Sequence, residues 1–422
     1  TRATPSMVID FQPVSSQIAH VTRHGNSNRR ETAQRLRNRN RGRMTELSAV
    51  RDLLARFASK DVRHVGCLTR RRMHHALVTR RLPLAALLAA LVSTVTLMAA
   101  TLGGPLPAPL PLFPRDNWWN IDISAAPLDP SSSSYINFIN NGSTRRLHPD
   151  FGGEASPGSV EIYGFPYVVV DGNEPKQPVY FQYDDESDGV DHTTGQSYPF
   201  YPIPAEAITT PHWVEGGEPG NVDRRSSDRH LIIVDRDNRH LYELFNVFYD
   251  GTRWLAGSGA FFDLSTNNRR PEGWTSADAA GLAILPGLVR YDEAFGSSDI
   301  QHAFRVTVRS TNGYVYPASH RAGSTIGALP MGARLRLKST VSLSGYTPEI
   351  QRIFRAMQRY GLIVADNGSD MYISGTFDLR WNNSVLNPAF RSLTASDFEV
   401  VQLGWRPQGL PPGAPANVRI TP

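Results

Sequence analysis

The stretch RHLIIVDRDNRHLYELFNVF, residues 229–248, contains two runs of β-branched and aromatic residues separated by a polar turn. Asp237 and Asn238 suit the two central positions of a tight turn, because short polar side chains tolerate its backbone angles. With these two residues in the turn, the register of the hairpin places Ile232 opposite Glu243. Both faces of the hairpin are largely apolar, which predicts a central pair of strands covered on both sides.

His230 and Glu243 share one face of this predicted hairpin, diagonally adjacent to each other on an otherwise apolar surface. A buried carboxylate is costly unless it is paired, and burial displaces its pKa toward that of a catalytic acid. Two interpretations stay open. The residues form a coupled catalytic unit, in which case Glu243→Gln abolishes activity, or they form a structural hydrogen bond.

Short runs rich in Val, Ile, Tyr and Phe continue on both sides of the hairpin and are separated by Gly, Pro, Asn and Asp. They include EIYGFPYVVV (161–170), PVYFQY (178–183), IQHAFRVTV (300–308) and ARLRLK (333–338). Such runs are typical of strands, and no internal repeat of 20–50 residues accompanies them. The sequence therefore predicts a mainly β domain, a β-sandwich or jelly-roll-like fold, with a few peripheral helices.

One segment, 348–360, has a helical pattern. Thr347 suits the N-cap and Gly361 the C-terminal end, and the apolar residues recur at helical spacing. The predicted apolar stripe consists of Ile350, Ile353, Phe354 and Met357. We expect this helix to pack on a sheet through that stripe.

Composition divides the chain into five segments. Residues 1–72 are basic and are predicted to be disordered, or to come from a reading frame extended upstream of Met73. Residues 73–103 are predicted to form a signal peptide or a membrane anchor, and residues 104–115 a Pro-rich spacer. The β-rich globular domain is predicted to span residues 116–405, followed by a Pro/Gly linker at 406–422. Arginines precede the apolar run 84–102, as in a signal peptide, although its length also suits a membrane-spanning anchor. Both interpretations place the globular domain outside the cytoplasm, secreted or anchored facing outward.

The charge is unevenly distributed. Residues 1–72 contain 16 Lys and Arg against 5 Asp and Glu, whereas residues 104–422 contain 26 against 34. An acidic domain repels a phosphate backbone, so we expect no nucleic-acid partner. The single cysteine, Cys67, precedes the apolar run, which excludes disulfides and thiolate chemistry from the exported part.

Candidate catalytic residues lie on several of the predicted strands and turns. Glycosidic cleavage requires two carboxylates, so Glu243 together with Asp278 or Asp366 is the predicted pair. His302 and His320 are candidate bases for a lyase. Structural alternatives are a capping carboxylate in the first turn of a helix for Asp278, a turn residue for Asp366 and a hydrogen-bonded core histidine for His302. The spacing of the histidines matches no metal-binding motif, and no cofactor is required.

Two further groups of residues suggest binding. The loop YDDESDGVD (183–191) supplies hard oxygen ligands suited to a structural Ca²⁺ ion, with a solvated acidic loop as the alternative. The proposed ligands are Asp184, Asp185, Glu186 and Asp188. Tryptophans in Asn/Gly/Asp-rich settings suit stacking on sugar rings, although loop tryptophans also fill cores. The candidates for substrate binding are Trp213, Trp254 and Trp274.

Three stretches resemble an uncharacterised family of secreted bacterial proteins: DRHLIIVDRDN (228–238), GWTSADAAGLAILPGLVRYDE (273–293) and IVADNGSDMYISG (363–375). The resemblance extends over about 116–403; it implies export and a single domain, and it carries over no catalytic residues. The ending PPGAPANVRITP (411–422) resembles the beginning of a fibronectin type III module, a spacer that secreted polymer-degrading enzymes commonly carry.

These features together favour a secreted carbohydrate-active enzyme that acts on a polysaccharide or cell-wall glycan, with a glycoside hydrolase favoured over a lyase. The alternative is a non-catalytic extracellular protein that binds such a glycan through its tryptophans. A membrane is expected as a partner only through an uncleaved N-terminal segment, and the oligomeric state is left open.

Overall fold

The computed structural model describes residues 100–407. In this range the strands are β1 (Thr101–Leu102), β2 (His148–Asp150), β3 (Tyr167–Val170), β4 (Val179–Phe181), β5 (Val190–Asp191), β6 (Gln196–Ser197), β7 (Leu231–Asp235), β8 (His240–Phe245), β9 (Phe248–Tyr249), β10 (Trp254–Ala256), β11 (Ser258–Asp263), β12 (Phe304–Val308), β13 (Arg334–Leu337), β14 (Leu362–Asn367), β15 (Tyr372–Ser374) and β16 (Phe398–Val400). The α-helices are α1 (Ser132–Asn140), α2 (Glu206–Thr209), α3 (Tyr291–Ala294), α4 (Pro348–Arg359) and α5 (Asn383–Ser392). Short 3₁₀ helices span Asp184–Glu186, Leu285–Gly287 and Ala395–Asp397.

Two large mixed sheets dominate this part of the chain. One has the order β1-β3-β7-β8-β11, and the other has the order β16-β13-β14-β12-β15-β2; a three-stranded sheet β4-β10-β9 and a two-stranded sheet β5-β6 accompany them. Parallel pairs occur in both large sheets, between β3 and β7 and between β12 and β14. The prediction of a mainly β domain with few helices is confirmed.

The hairpin β7–β8 has the predicted register, with Ile232 opposite Glu243. Its turn differs from the prediction: the ladder ends at Asp235 and His240, and four residues connect the strands. The Asp235 carboxylate accepts hydrogen bonds from the backbone N–H groups of Asp237 and Asn238, and Arg239 takes a positive φ of 54°. A four-residue turn preserves the register of a two-residue turn, because it lengthens the loop by one residue on each side.

The five-stranded sheet is covered on both faces, as the two apolar faces of the hairpin predict. Ile232, Val234 and Leu241 belong to one hydrophobic core, which also contains residues of the six-stranded sheet. Leu231, Ile233, Tyr242 and Leu244 belong to a second core on the opposite face. The period-two alternation of the strands distributes these side chains between the two cores.

The N-terminal border of the folded unit differs from the prediction. Strand β1 lies within the segment predicted to be a signal or anchor, and it pairs with β3 at the edge of the five-stranded sheet. The segment 104–115 is not a solvent-exposed spacer, because Leu112 and Phe113 are buried in the first core. Prolines prevent this segment from forming regular structure, but they do not prevent its apolar side chains from packing.

Helix α4 confirms the predicted helical segment. Its stripe of Ile350, Ile353, Phe354 and Met357 is buried, and the helix packs against β13. Gly361 follows the helix with a φ of 77°, a conformation that glycine adopts without a Cβ clash.

Several predictions concern residues outside 100–407: the basic segment 1–72, most of the signal or anchor segment, and the resemblance to a fibronectin module after residue 411. Within the described range, no helix is both long enough and apolar enough to cross a membrane.

Candidate active site

A cleft of about 240 Å³ lies beside the start of β7. Its lining combines Asp150 at the end of β2, residues 162–165 before β3, residues 215–216, and residues 227–229. The end of β2 and two loops therefore place three acidic residues, Asp150, Glu215 and Asp228, around one opening. Loop residues held by a rigid sheet are a common setting for binding and catalysis.

Glu215 and His230 form an ion pair at the wall of this cleft. Nδ1 of His230 lies 2.6 Å from Oε2 of Glu215, and the backbone N–H of His230 donates to the same oxygen at 3.1 Å. The backbone N–H of Glu215 donates in return to the His230 carbonyl at 2.9 Å. Nε2 of His230 lies 2.9 Å from the carbonyl oxygen of Ala277. Since both ring nitrogens face oxygen acceptors, the geometry favours the doubly protonated imidazolium.

The two members of this pair shift each other's pKa. Burial alone would lower the pKa of His230, but the Glu215 charge and the hydrogen bonds outweigh it and raise that pKa to about 9. Burial alone would raise the pKa of Glu215, but the His230 charge and hydrogen bonds outweigh it and lower that pKa. Glu215 is therefore held ionised at neutral pH, with its side chain 23% exposed.

The loop that carries Glu215 has little freedom. Gly217 has a φ of 91°, and a Cβ at this position would lie 1.7 Å from the carbonyl oxygen of Val160. The loop is closed by the hydrogen bond from the His212 N–H to the Gly217 carbonyl. Only glycine permits this close backbone approach, which holds Glu215 against His230.

Asp150 is in a different environment at the same cleft. Its side chain remains accessible to solvent, and among the described residues its carboxylate has no hydrogen-bond or ion-pair partner. Partial loss of hydration raises its pKa; Arg305 opposes this rise, and the Glu215 charge adds to it. Asp150 and Glu215 therefore line one opening, with the pKa of the first raised and the pKa of the second lowered.

Behind the cleft, Arg305 on β12 organises two of the predicted catalytic carboxylates. Its guanidinium makes a bidentate pair with Asp278, at 2.7 and 2.8 Å, and also donates to Asp366 at 2.9 Å. Phe165 connects this cluster to the cleft, with its ring 5.5 Å from Arg305 and 5.2 Å from the His230 ring. Bidentate pairing of this kind fixes both partners.

The structure thus corrects the structural alternatives for these two acids. No helix forms over 275–281, so Asp278 is a fully buried ion-pair partner and not a helix cap. Asp366 lies at the end of β14, with its side chain 26% exposed. Burial raises the pKa of Asp366 to about 6, although Arg305 opposes the shift.

Glu243 and His230 do not form the predicted hydrogen-bonded unit. Glu243 has no solvent exposure, and its carboxylate accepts the backbone N–H groups of Ile284 and Leu285 at 2.8 to 3.0 Å. Burial raises its pKa to about 7, against the effect of those hydrogen bonds. The register of the hairpin correctly places His230 and Glu243 on the same face. Their hydrogen-bond partners, however, lie in loops, and the register of the strands gives no information on those loops.

The two other histidines also lie outside the cleft lining. His302 is buried, and its Nε2 lies 3.0 Å from the Glu293 carboxylate, which Arg290 also binds. His320 is partly exposed, and its Nδ1 lies 2.8 Å from the Ala279 carbonyl oxygen. Both histidines therefore have hydrogen-bond partners within the protein. For His302 this agrees with the alternative interpretation, a hydrogen-bonded core histidine.

Two of the predicted sugar-stacking tryptophans are core residues. Trp213 and Trp254 are 7% and 4% exposed and belong to the second hydrophobic core, so their faces are unavailable to a sugar ring. Trp274 is partly exposed, but the Arg270 guanidinium lies over its ring at 5.2 Å. The exposed aromatic residue at the cleft is Tyr163, with 46% of its surface accessible.

The acidic loop is partly used to hold a neighbouring loop. Asp188 pairs with Arg270, and Glu186 accepts the backbone N–H of Thr275 at 2.7 Å. Asp184 and Asp185 are exposed. Within 100–407, no group of three or more His, Cys, Asp or Glu residues is arranged to hold a metal ion. Calcium binding by this loop stays a prediction.

Sequence reasoning missed Asp150 and Glu215. Each lies next to a Gly-Gly or Phe-Gly-Gly stretch, in HPDFGGE (148–154) and WVEGGE (213–218). Acidic residues beside glycine-rich loops are a weak signal, because solvated loops share it.

Comparisons of this chain with protein-family models, with curated proteins and with solved structures find no match.

Proposed function

We propose that this protein is a glycan-cleaving hydrolase whose carboxylate pair is Asp150 and Glu215. The proposal rests on two carboxylates at one cleft: Glu215 is ion-paired to His230, whereas Asp150 has no partner among the described residues. Their pKa values shift in opposite directions, which agrees with this difference. A glycosidase needs one protonated carboxyl group as general acid and one ionised carboxylate. Asp150 suits the first role and Glu215 the second, because environments that separate two pKa values assign the acid and the base.

In this mechanism Asp150 donates its proton to the glycosidic oxygen as the bond to the anomeric carbon breaks. The Glu215 carboxylate acts on the opposite face of the sugar, either by attacking the anomeric carbon or by taking a proton from the attacking water. His230 keeps Glu215 ionised before substrate binds. Asp278 and Arg305 do not contact the substrate in this mechanism. Their ion pair fixes the loop whose Ala277 carbonyl oxygen accepts a hydrogen bond from His230.

The charge of the cleft favours a neutral or amino sugar over a uronic acid. Asp150, Glu215 and Asp228 all line it, and the Arg229 guanidinium is directed away to the carbonyls of Glu218 and Pro219. These carboxylates would repel a polyanionic substrate electrostatically. Hydrolysis is therefore preferred over a lyase reaction at uronic acids.

The second candidate is a non-catalytic glycan-binding protein. The observation that favours it is Tyr163, an exposed aromatic ring at the rim of the cleft. Aromatic faces stack on sugar rings, and the surrounding carboxylates accept hydrogen bonds from sugar hydroxyls. In both cases we expect the protein to act outside the cytoplasm, as its N-terminal sequence and its resemblance to secreted bacterial proteins suggest.

The finer architecture is also a proposal. We infer that the two large sheets pack face to face as a sandwich. Residues of β3, β7, β8 and β11 share one hydrophobic core with residues of β12, β13 and β14, which supports this arrangement.

The test is incubation of the protein with a panel of neutral, amino-sugar and uronic-acid polysaccharides. A hydrolase releases reducing ends from a neutral or amino-sugar polymer, and Asp150→Asn and Glu215→Gln each lower that rate by at least about 100-fold. Glu206→Gln, which removes an exposed acid on α2 away from the cleft lining, serves as the control and retains full activity. If the protein binds a polysaccharide without releasing products, and Tyr163→Ala weakens that binding, the protein is a glycan-binding protein instead. Full hydrolytic activity in Asp150→Asn would contradict the proposed catalytic pair.

A further inference from the structure

Tyr316 is surrounded by positive charge on a part of the molecule that the proposed reaction does not use. The Arg406 guanidinium lies 3.6 Å from the centre of the Tyr316 ring, and the Arg269 guanidinium lies 5.6 Å from it. Arg334 contributes a third nearby charge, which acts on the Tyr316 hydroxyl together with the other two. A guanidinium group needs compensation of its charge where it is buried without a carboxylate partner.

Arg334 is the deepest of these cations. It is the first residue of β13 and is 5% exposed. Its Nη2 donates to the carbonyl oxygen of Trp118 at 2.6 Å, whereas its Nη1 is buried without a hydrogen-bond partner. In the described part of the chain no carboxylate pairs with it, and burial lowers its pKa to about 10. A buried arginine with a free N–H group and no counter-charge is uncommon in a stable protein.

Trp118 provides a second unsatisfied donor beside the same phenol. Its ring is 2% exposed and meets the Tyr316 ring edge to face at 6.3 Å, and its indole Nε1 is buried without a partner. The backbone of Trp118 already holds the Arg334 guanidinium. Two hydrogen-bonded neighbours, Arg334 and Trp118, therefore each have a buried N–H donor for which the described residues supply no acceptor.

The neighbouring acids do not compensate this charge. Glu272 pairs with Arg269 at 2.8 Å, so only that arginine is neutralised. Asp116 is exposed, and one of its oxygens accepts the Asn267 side-chain amide at 2.8 Å. Arg334 and Arg406 remain without a carboxylate partner among residues 100–407.

We propose that Arg334, Trp118 and Arg406 form a binding site for a small oxyanion beside Tyr316. Anionic oxygens accept from Nη1 of Arg334 and Nε1 of Trp118, and Arg406 covers the ligand from the solvent side. Tyr316 and Arg406 are partly exposed, which leaves a route of entry from solvent. The chemistry shared by the possible ligands is a compact group of negatively charged oxygens, as in sulfate, phosphate or a carboxylate.

The test is calorimetric titration of the full chain with sodium sulfate, inorganic phosphate and sodium acetate at constant ionic strength. We expect saturable binding of at least one probe, and the preference separates tetrahedral oxyanions from carboxylates. Arg334→Met removes the buried donor and keeps much of the side-chain volume, and it weakens binding by about ten-fold or more. Trp118→Phe removes only the indole N–H and weakens binding by a few-fold, as does Arg406→Gln.

Arg355→Gln is the matched control, because it removes a positive charge from an exposed ion pair on α4 and leaves the affinity unchanged. Sulfate raises the melting temperature of most proteins, so thermal stabilisation that is equal in all variants counts against the site. The proposal is overturned if no probe binds saturably, which would mean that only water occupies these donors. Equal affinity in the wild type, Trp118→Phe and Arg406→Gln overturns it as well, even where Arg334→Met does not fold.

Discussion

At the scale of single residues, the ion pair of Glu215 and His230 has a structural role and, in the proposed reaction, a chemical one. Its hydrogen bonds connect two loops at the mouth of the cleft, and its charges keep the carboxylate ready to act at neutral pH. Breaking a pair of this kind leaves the other charge poorly compensated.

Glu215→Gln is expected to change the dependence of stability on pH. The raised pKa of His230 means that its contribution is fully present below about pH 6.5 and is lost as the pH rises through about 9. The lowered pKa of Glu215 means that its contribution is present above about pH 4.5 and is lost as the pH falls below that value. We expect the variant to lose about 3 kcal/mol near pH 6 and to show little further decline toward pH 9. Urea unfolding between pH 4 and pH 10 measures this; parallel profiles for both proteins would contradict it.

Glu243→Gln is expected to act on stability and not on catalysis, contrary to what the sequence suggested. The raised pKa of about 7 means that ionising Glu243 costs folded-state stability as the pH rises from about 4.5 through 7. Glutamine does not ionise, so the variant should gain stability relative to the wild type over that range. Melting temperatures at pH 5 and pH 8 measure this change. Loss of turnover per folded molecule would restore the catalytic interpretation of Glu243.

At the scale of elements, strand β12 places a buried arginine, Arg305, in the interior of the domain. Arg305 is 3% exposed and holds Asp278, which is 1% exposed. Arg305→Met should destabilise the domain by about 3–5 kcal/mol, because it leaves the Asp278 carboxylate buried without a cation. The double variant Arg305→Met, Asp278→Asn should recover part of this loss, as measured by urea unfolding. A double variant less stable than Arg305→Met would contradict the argument.

The elements that the sequence predicted are those with a clear local pattern. Helix α4 appears where apolar residues recur at helical spacing, and the hairpin β7–β8 appears where two runs of β-branched and aromatic residues flank a polar turn. Strand β1 was missed because an apolar run after arginines has the same composition in an export signal and in a strand. Periodicity describes which residues share a face, and it does not describe which element covers that face.

The candidate site was harder to predict for the same reason. His230 and Glu243 were correctly placed on one face, yet their partners come from loops at Glu215, Ala277 and Ile284. Loop residues have no period, and pairing with a strand 15 residues away leaves no pattern in the sequence. Burial of Trp213 and Trp254 was unpredictable too, because an Asn- or Gly-rich setting does not report exposure.

At the scale of the whole molecule, the border of the folded unit is testable by truncation. A chain starting at Ala100 keeps β1, whereas one starting at Gly104 loses the pairs Thr101 with Val169 and Leu102 with Val168. We expect the shorter chain to be less stable by about 2 kcal/mol, since it loses ladder hydrogen bonds and apolar contacts. Urea unfolding of both chains measures this; equal free energies of unfolding would place the N-terminal border of the folded unit after β1.

The order of the six-stranded sheet has a kinetic consequence. Its two edges are β2, from early in the domain, and β16, from near its end, and β2 pairs with β15 across most of the sequence between them. Contacts between residues so distant along the chain slow the search for the native state. During synthesis this sheet therefore stays incomplete until almost the whole domain has emerged, and we expect the domain to fold more slowly than one built from local contacts.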